Sequence, residues 1–553
     1  MKTKIFSLCL MMAFALTSLH ADILYVKAEA VGSGDGTSWE TATTLDDALS
    51  LAFGGDIILV AKGEYRGNYY CTKGVKVYGS CEGTETEPPV YTFADVSNLG
   101  TKLIGKADGK RVLTIDHTDA EWSGFDISGG DASLEVKRAG GGGGVNIHGE
   151  GGILSYCRVH NNIGLDGDRR ITSAPERPLK GYGGGVYAWK GIVRYCIIED
   201  NVAVKNGWSN TAGSIHSNGS GGGVVLGDWS TSAVDRAELH SSIVRGNTTV
   251  TGTAFVSPGY VDWLYTFPNF GGGVTIRGGA VVNCLVVGNF NTGGDNTQNV
   301  GGGIAVAESG GFPCHIINCT VAGNVNRGPG GGIGYQTQNT TSNIIIANCA
   351  LFGNAGDTRD TPPAVQGTRS QNIRYAMPET MGSSTLSITS TIWPEATAAE
   401  VAAGNIAGDP KFKSFDYVPL TGDPNGVQLE KYKFHMALLE KAKAATADFS
   451  LQEGSPAIDA GDEPPLSAYL TLPDVAGSAR IFGDAVDMGA YEFGSETGIG
   501  DIIADANDPV VSKTYYNLLG VQVDQPESDG IYIVKNVHAS KKESTSTIFF
   551  QSK

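Results

Sequence analysis

Between residues 140 and 354 the chain repeats one unit six times: three or more glycines, a β-branched residue, and a second short strand ending in asparagine. The residues after the glycine runs are Val145, Val186, Val224, Val274, Ile304 and Ile333. The second strands read CRVHNN, CIIEDN, SIVRGN, CLVVGN, CTVAGN and CALFGN. In each, a small residue stands five before the asparagine: Cys157/Asn162, Cys196/Asn201, Ser242/Asn247, Cys284/Asn289, Cys319/Asn324 and Cys349/Asn354. A divergent copy, GFDISG, occupies Gly124 to Gly129. Successive copies are 41, 38, 50, 30 and 29 residues apart, so the strands are fixed and the connections vary. Fixed strands with variable insertions at the corners are the mark of a stacked solenoid. The short period-two patterning makes the repeat β rather than helical. The asparagines are expected to take a left-handed turn conformation and to bond their copies in a ladder. The Cys/Ser position and the residue two later (Val159, Ile198, Val244, Val286, Val321, Leu351) are expected to face inward.

Other readings of the repeat fit less well. Glycine runs cradle phosphates when a helix follows them, and here no helix or Gly-Lys-Ser/Thr signature does. The 78 glycines among 553 residues show no Gly-X-Y period, which excludes collagen. At 41 % hydrophobic the chain can build a large core. Its formal net charge of −18 argues against nucleic acid as a partner. Eight cysteines follow residue 21, with no C-x2-C pair, so no metal site is expected. The cysteine column reads as buried free thiols. Cys71 and Cys81 lie outside it, and their disulfide state is open.

The ends of the chain point to export. Lys2 and Lys4 precede an apolar stretch, Ile5 to Leu16, and TSLHA follows, so residues 1–21 read as a signal peptide cleaved after Ala21. The repeat resembles the right-handed parallel β-helix proteins of the pectin-lyase-like superfamily. LDDALSLA (Leu45 to Ala52) looks like the helix that caps their first coil, and GGDIILVAKGEY (Gly54 to Tyr65) like their first strand and turn. Further on, GDPKF at Gly408, EGSPAIDAGD from Glu453 and DVAGSARIFGDAVDMGAYEFG from Asp474 resemble the choice-of-anchor Q module of bacterial surface proteins. There Asp459, Asp474, Arg480, Asp487 and Glu492 are expected to form a structural arginine–carboxylate network. Tyr515 to Lys535 is similar to the C-terminal sorting domain of type IX secretion, although its downstream hairpin departs from that pattern.

These resemblances imply an all-β fold: a right-handed parallel β-helix solenoid at 22–415 with an N-terminal cap helix, a capping module at 416–495, and a small terminal β-sandwich at 496–553. A helix is expected at Leu429 to Ala445. They also imply a secreted or outer-membrane, cell-surface location and contact with secretion machinery through the last domain.

Fold does not choose a chemistry. A lyase needs a base beside a cation that stabilises the enolate, and no acidic cluster at calcium-loop spacing is present. Calcium enters only if the protein is a lyase; no other cofactor is evident. Paired hydrolase carboxylates are not recognisable either. The stretches 163–182, 202–220, 248–270 and 290–300 are expected to be long loops gathered along one side. They carry Arg169, Arg170, Arg177 and Lys180, then Trp208 and His216, then Tyr260, Trp263 and Tyr265. Aromatic faces stack on sugar rings and arginine grips carboxylates. Arg169, Arg170, Lys180, Trp208, Tyr260, Trp263 and Tyr265 are therefore the candidate ligand contacts. The sequence supports a monomeric, non-catalytic surface scaffold or adhesin for an extracellular polysaccharide or host glycan. The alternative is a polysaccharide lyase or hydrolase acting on an acidic polymer.

Overall fold

The computed structural model describes residues 21–135, 140–149, 151–167, 179–206, 217–227, 236–251, 269–291, 299–307, 312–326, 330–336, 343–356, 372–374, 385–415, 447–462, 469 and 471–495. It also gives the backbone of strands at 510–517, 522–523, 530–538 and 543–550. The Leu429 to Ala445 helix and residues 1–20 lie outside these.

The chain is a parallel β-helix with three main walls. The first wall has nine strands, from Tyr69–Cys71 to Ile373–Arg374, and includes every strand that follows a glycine run. The second has eleven, from Ile23–Val26 to Thr385–Thr389. The third, also of eleven, starts at Gly63–Arg66, contains the strands before each repeated asparagine, and ends at Ile406–Ala407. Each coil pairs in parallel with the next, as in Val186↔Val224, Leu239↔Val281 and Val244↔Val286. The inward set, including Val145, Leu154, Val159, Ile198 and Leu351, is fully buried in one continuous core.

Two features of the repeat differ from their sequence reading. The left-handed residue is not the ladder asparagine but the one before it: Asn161, Asp200, Gly246, Gly288, Gly323 and Gly353. A second left-handed corner precedes the cysteine position, at Tyr156, Tyr195, Ser241, Asn283, Asn318 and Asn348. The thiols also do more than fill space. Cys157, Cys196, Cys284, Cys319 and Cys349 each donate to the carbonyl two residues back, at 3.1–3.2 Å. Ser242 makes the same bond to His240 at 2.6 Å, so Ser substitutes for Cys because both donate at this corner. Burial pushes the Cys157 thiol up and that of Cys196 to about 12, keeping both protonated as donors. Cys71 and Cys81 are buried free thiols.

The asparagines run in one line. Asn162 Nδ2 donates to Asn201 Oδ1 at 3.0 Å, and the pattern continues through Asn247, Asn289, Asn324 and Asn354 to Asn372. The glycine run makes room for this line. A Cβ on Gly273 would lie 2.8 Å from Asn289 Nδ2, and one on Gly272 would lie 2.4 Å from Gly302 O. Glycine run and asparagine are thus two halves of one packing unit, which explains their joint repetition.

The helix Leu45–Leu51 closes the first coils. Thr44 caps its N-terminus, Leu45 and Ala48 are buried, and Lys73 Nζ bonds the carbonyls of Leu49, Ser50 and Ala52.

Residues 447–495 cover a side of the solenoid. Phe449, Leu451, Ala457, Val475, Met488 and Ala490 pack on Leu285, Val287, Ala322, Ala350 and Ile392 of the third wall. Gly489 N bonds Asn348 O, Ala490 N bonds Thr320 Oγ1, and Asn348 exchanges two bonds with Asp462. Inside this module Arg480 is 1 % exposed. Its Nη2 donates to Asp487 O at 2.8 Å and lies 4.0 Å from Glu492 Oε2. Asp474, Asp487 and Glu492 accept mainly from backbone N–H groups, among them Ser478, Asp459 and Phe482. The carboxylates therefore fix the turns, and the guanidinium sits among them.

At the C-terminal end, Val510–Asn517, Gln522–Val523, Gly530–His538 and Glu543–Phe550 form a four-stranded antiparallel sheet.

Candidate functional site

Arg169, Arg170, Trp208, Tyr260, Trp263 and Tyr265 lie outside the described residues, as do Arg177 and His216. Lys180 is on the strand Leu179–Tyr182, where its backbone pairs with Asn218. All four stretches read as loops begin as strands and the first two end as strands, while Phe270 and Val300 end the others in isolated parallel bridges. Their outgoing stems, Ile163–Asp166, Val202–Lys205, Thr248–Thr251 and Phe290–Asn291, belong to one six-stranded sheet. Returning stem Leu179–Tyr182 pairs with Gly140–Gly141 on one side and with returning stem Ser217–Ser220 on the other, in a second strip. The insertions therefore leave from, and return to, stacked positions on one side, immediately before the first wall.

The outer edge of that wall carries a column that the sequence reading did not single out. Asp116 N bonds Cys71 O, His148 N bonds Ile115 O, and Trp189 N bonds Ile147 O. These bonds place Asp116, His148 and Trp189 one per coil. Tyr70, on the coil before that of Asp116, reaches the column with its hydroxyl, which donates to Asp116 Oδ2 at 3.2 Å. His148 Nδ1 is 3.3 Å from the same oxygen. The His148 and Trp189 ring centroids are 4.7 Å apart. Behind Trp189 stand Tyr187 at 5.9 Å and Tyr182, a further 6.0 Å away, both buried. The fully buried Arg277 lies 4.5 Å over the Tyr182 ring. Tyr187 in turn fills the space facing Gly141, where a Cβ would lie 2.4 Å from its ring.

Trp189 is thus braced from behind by packed rings, whereas the Tyr70 ring is 58 % exposed. The His148 side chain is 42 % exposed and Asp116 18 %. Partial burial, then the neighbouring Asp116 carboxylate, raises the Tyr70 hydroxyl above its ordinary range, so it stays a donor. The signal in the sequence is faint: an aromatic or polar residue directly after the three-residue strands VNI and VYA.

A second polar cluster lies on the third wall. Asp126 bonds His160 at 2.8 Å and approaches Arg158 at 3.5 Å; Arg158 and Arg245 both grip Glu199, at 2.6 Å each. Burial works against the Glu199 charge, yet the two arginines hold its carboxyl below the usual range. Farther along, on the second wall, Glu238 accepts from Tyr469 at 3.0 Å and is 2.8 Å from His240 Nε2. In both clusters the carboxylates are already held by side-chain partners. Among the described residues no group of three His, Cys, Asp or Glu converges to hold a metal ion. The first-wall column sets the exposed Tyr70 and the half-buried Trp189 beside hydrogen-bonding groups.

Fold and surface together define a parallel β-helix protein with a lateral module and an aromatic column beside stacked insertions. No family model matches the chain, and no curated protein matches it. Among solved structures it is similar to a crystal structure of pectate lyase Pel9A, at 12 % identity and a TM-score of 0.34, covering 85 % of this chain and 96 % of that one. It is also similar to XylC in complex with xylose, at 8 % identity and a TM-score of 0.28, covering 72 % and 88 %. Both superpositions are weak, and the assignment of the fold rests on the strand pairing.

Proposed function

We propose that this protein is an exported cell-surface β-helix that binds a glycan without cleaving it. The observation that carries this reading is the linked column Tyr70–Asp116–His148–Trp189. It presents aromatic rings and hydrogen-bonding groups side by side, the combination that sugar rings need for stacking and for their hydroxyls. The candidate contacts Trp208, Tyr260, Trp263, Tyr265, Arg169, Arg170 and Lys180 belong, in sequence, to the insertions whose stems precede the same wall. The signal-like residues 1–21 and the sorting-like strands after residue 510 support export, with the last domain meeting the secretion machinery. The turn-rich module at 447–495 fits the choice-of-anchor Q resemblance. The protein acts as a monomer, with neither nucleic acid nor cofactor.

The test is to incubate the full chain with acidic and neutral polysaccharides, with and without calcium. Polymer size and the ultraviolet absorbance of unsaturated ends are then followed. Retention of a polymer without shortening is the expected result. Shortened chains would make the protein a hydrolase or, with absorbance, a lyase, and would overturn the non-catalytic reading.

A further inference from the structure

The charges around the column narrow the ligand. Asp116 stands at its centre, with its carboxylate already accepting from Tyr70 and facing His148. The other charged groups acting on Tyr70 are Arg111 and Glu135, which pair with each other at 3.8 Å. Asp119, beside His117 and three residues after Asp116, adds an exposed carboxylate to that coil. Lys190 follows Trp189 in the sequence. The four side chains of the column itself include one carboxylate, Asp116, and no lysine or arginine. A uronate placed there would meet like charge at close range, which costs binding energy rather than supplying it. Neutral hydroxyls instead find acceptors on Asp116 and a donor or acceptor on His148.

The spacing also suits a linear chain. From the Tyr70 coil to the Trp189 coil is three coil steps, about 14 Å at ~4.8 Å per step, the length of a short oligosaccharide. One ring can stack near Trp189 and another near Tyr70, with the intervening hydroxyls over Asp116 and His148.

Building on the glycan-binding reading above, we propose that the Tyr70–Asp116–His148–Trp189 column is a binding site for a neutral polysaccharide chain lying parallel to the solenoid axis. The ligand class is an unbranched, uncharged hexose or pentose polymer rather than a polyuronate.

The experiment is calorimetric titration of the full chain with β-1,4-linked glucose, mannose and xylose hexasaccharides and with an oligogalacturonate of the same length. The variants are Trp189→Ala, Tyr70→Ala and Asp116→Asn. At least one neutral oligosaccharide is expected to bind. Either aromatic substitution should weaken it by about tenfold, a shift of about 1.4 kcal/mol. Asp116→Asn, which replaces a charged acceptor by a weaker neutral one, should weaken the neutral ligand by about threefold while improving the oligogalacturonate. Tyr70 is exposed, so its variant stays informative if removal of the packed Trp189 disturbs folding; circular dichroism reports that. Binding of the oligogalacturonate alone, lost in Tyr70→Ala, would overturn the neutral class and leave the glycan reading standing. Binding of a neutral chain that neither aromatic substitution weakens would overturn the site. No binding by the folded protein across both classes would overturn the glycan reading itself.

Discussion

A single asparagine side chain does several jobs in each coil. Asn289 Nδ2 donates to Val244 O at 2.9 Å and to Asn324 Oδ1 at 3.0 Å, while its Oδ1 accepts from both the backbone and the side chain of Asn247. It is fully buried, so no water replaces a lost partner. Asn289→Ala should destabilise the protein by about 2–4 kcal/mol, measured by urea unfolding, because it orphans two donors of Asn247 and removes the donor to Val244 O and Asn324 Oδ1. Glu492 is a different kind of buried polar residue. Burial, reinforced by Asp487 and only partly offset by Arg480, raises its carboxyl from 4.5 to about 7. The folded chain thus holds a proton that the unfolded chain gives up between those values. Stability should be greatest below pH 4.5 as far as this group is concerned, and should fall as pH rises through 7. Glu492→Gln should flatten that fall in melting temperatures recorded from pH 5 to 8.

At the scale of the strand, the third wall changes character along the rod. Its outward positions are Arg158 and His160 in one coil and Glu199 in the next, but Leu285 and Val287, then Ala322, then Ala350 and Phe352 further on. Strands that are apolar on both faces belong between two layers. Residues 447–495 supply the second layer, through Phe449, Leu451, Met488 and Ala490. Met488→Asp should open this interface. The expected outcome is faster amide exchange in Leu285–Val287 and Ala350–Phe352 together with dye binding to the uncovered apolar strip, with exchange at Arg158–His160 unchanged. The apolar run in CLVVGN stands in the sequence, but not as a covered strand: the module that covers it follows more than a hundred residues later, and its own apolar positions show no period.

Over the whole molecule the solenoid, its side module and the terminal sheet are unequal partners. The side module is tied to the solenoid by Asn348–Asp462, Ser241–Pro473 and Tyr469–Glu238 bonds. The terminal strands pair with one another. Removal of residues 496–553 should therefore leave the thermal transition of the remainder within a few degrees of the full chain. Removal of residues 447–495 as well should lower it sharply. Differential scanning calorimetry separates the two.

The sequence by itself determined the coil: parallel strands, an inward column of Val, Ile and Leu, a small Cys or Ser at one corner and an asparagine at the next. These follow from backbone rules that repeat every coil, so a one-dimensional pattern carries them. It did not place the left-handed corners, because Asn161, Asp200 and Gly246 look like ordinary turn residues. Nor did it show that the stretches read as loops have paired stems. The tertiary structure alone decided which outward side chains become neighbours. Tyr70, Asp116, His148 and Trp189 are separated by 46, 32 and 41 residues, yet stacking sets them a few ångströms apart. Outward residues obey no inward-packing rule, and the insertions between coils differ in length. Their alignment exists only once the core has fixed the register.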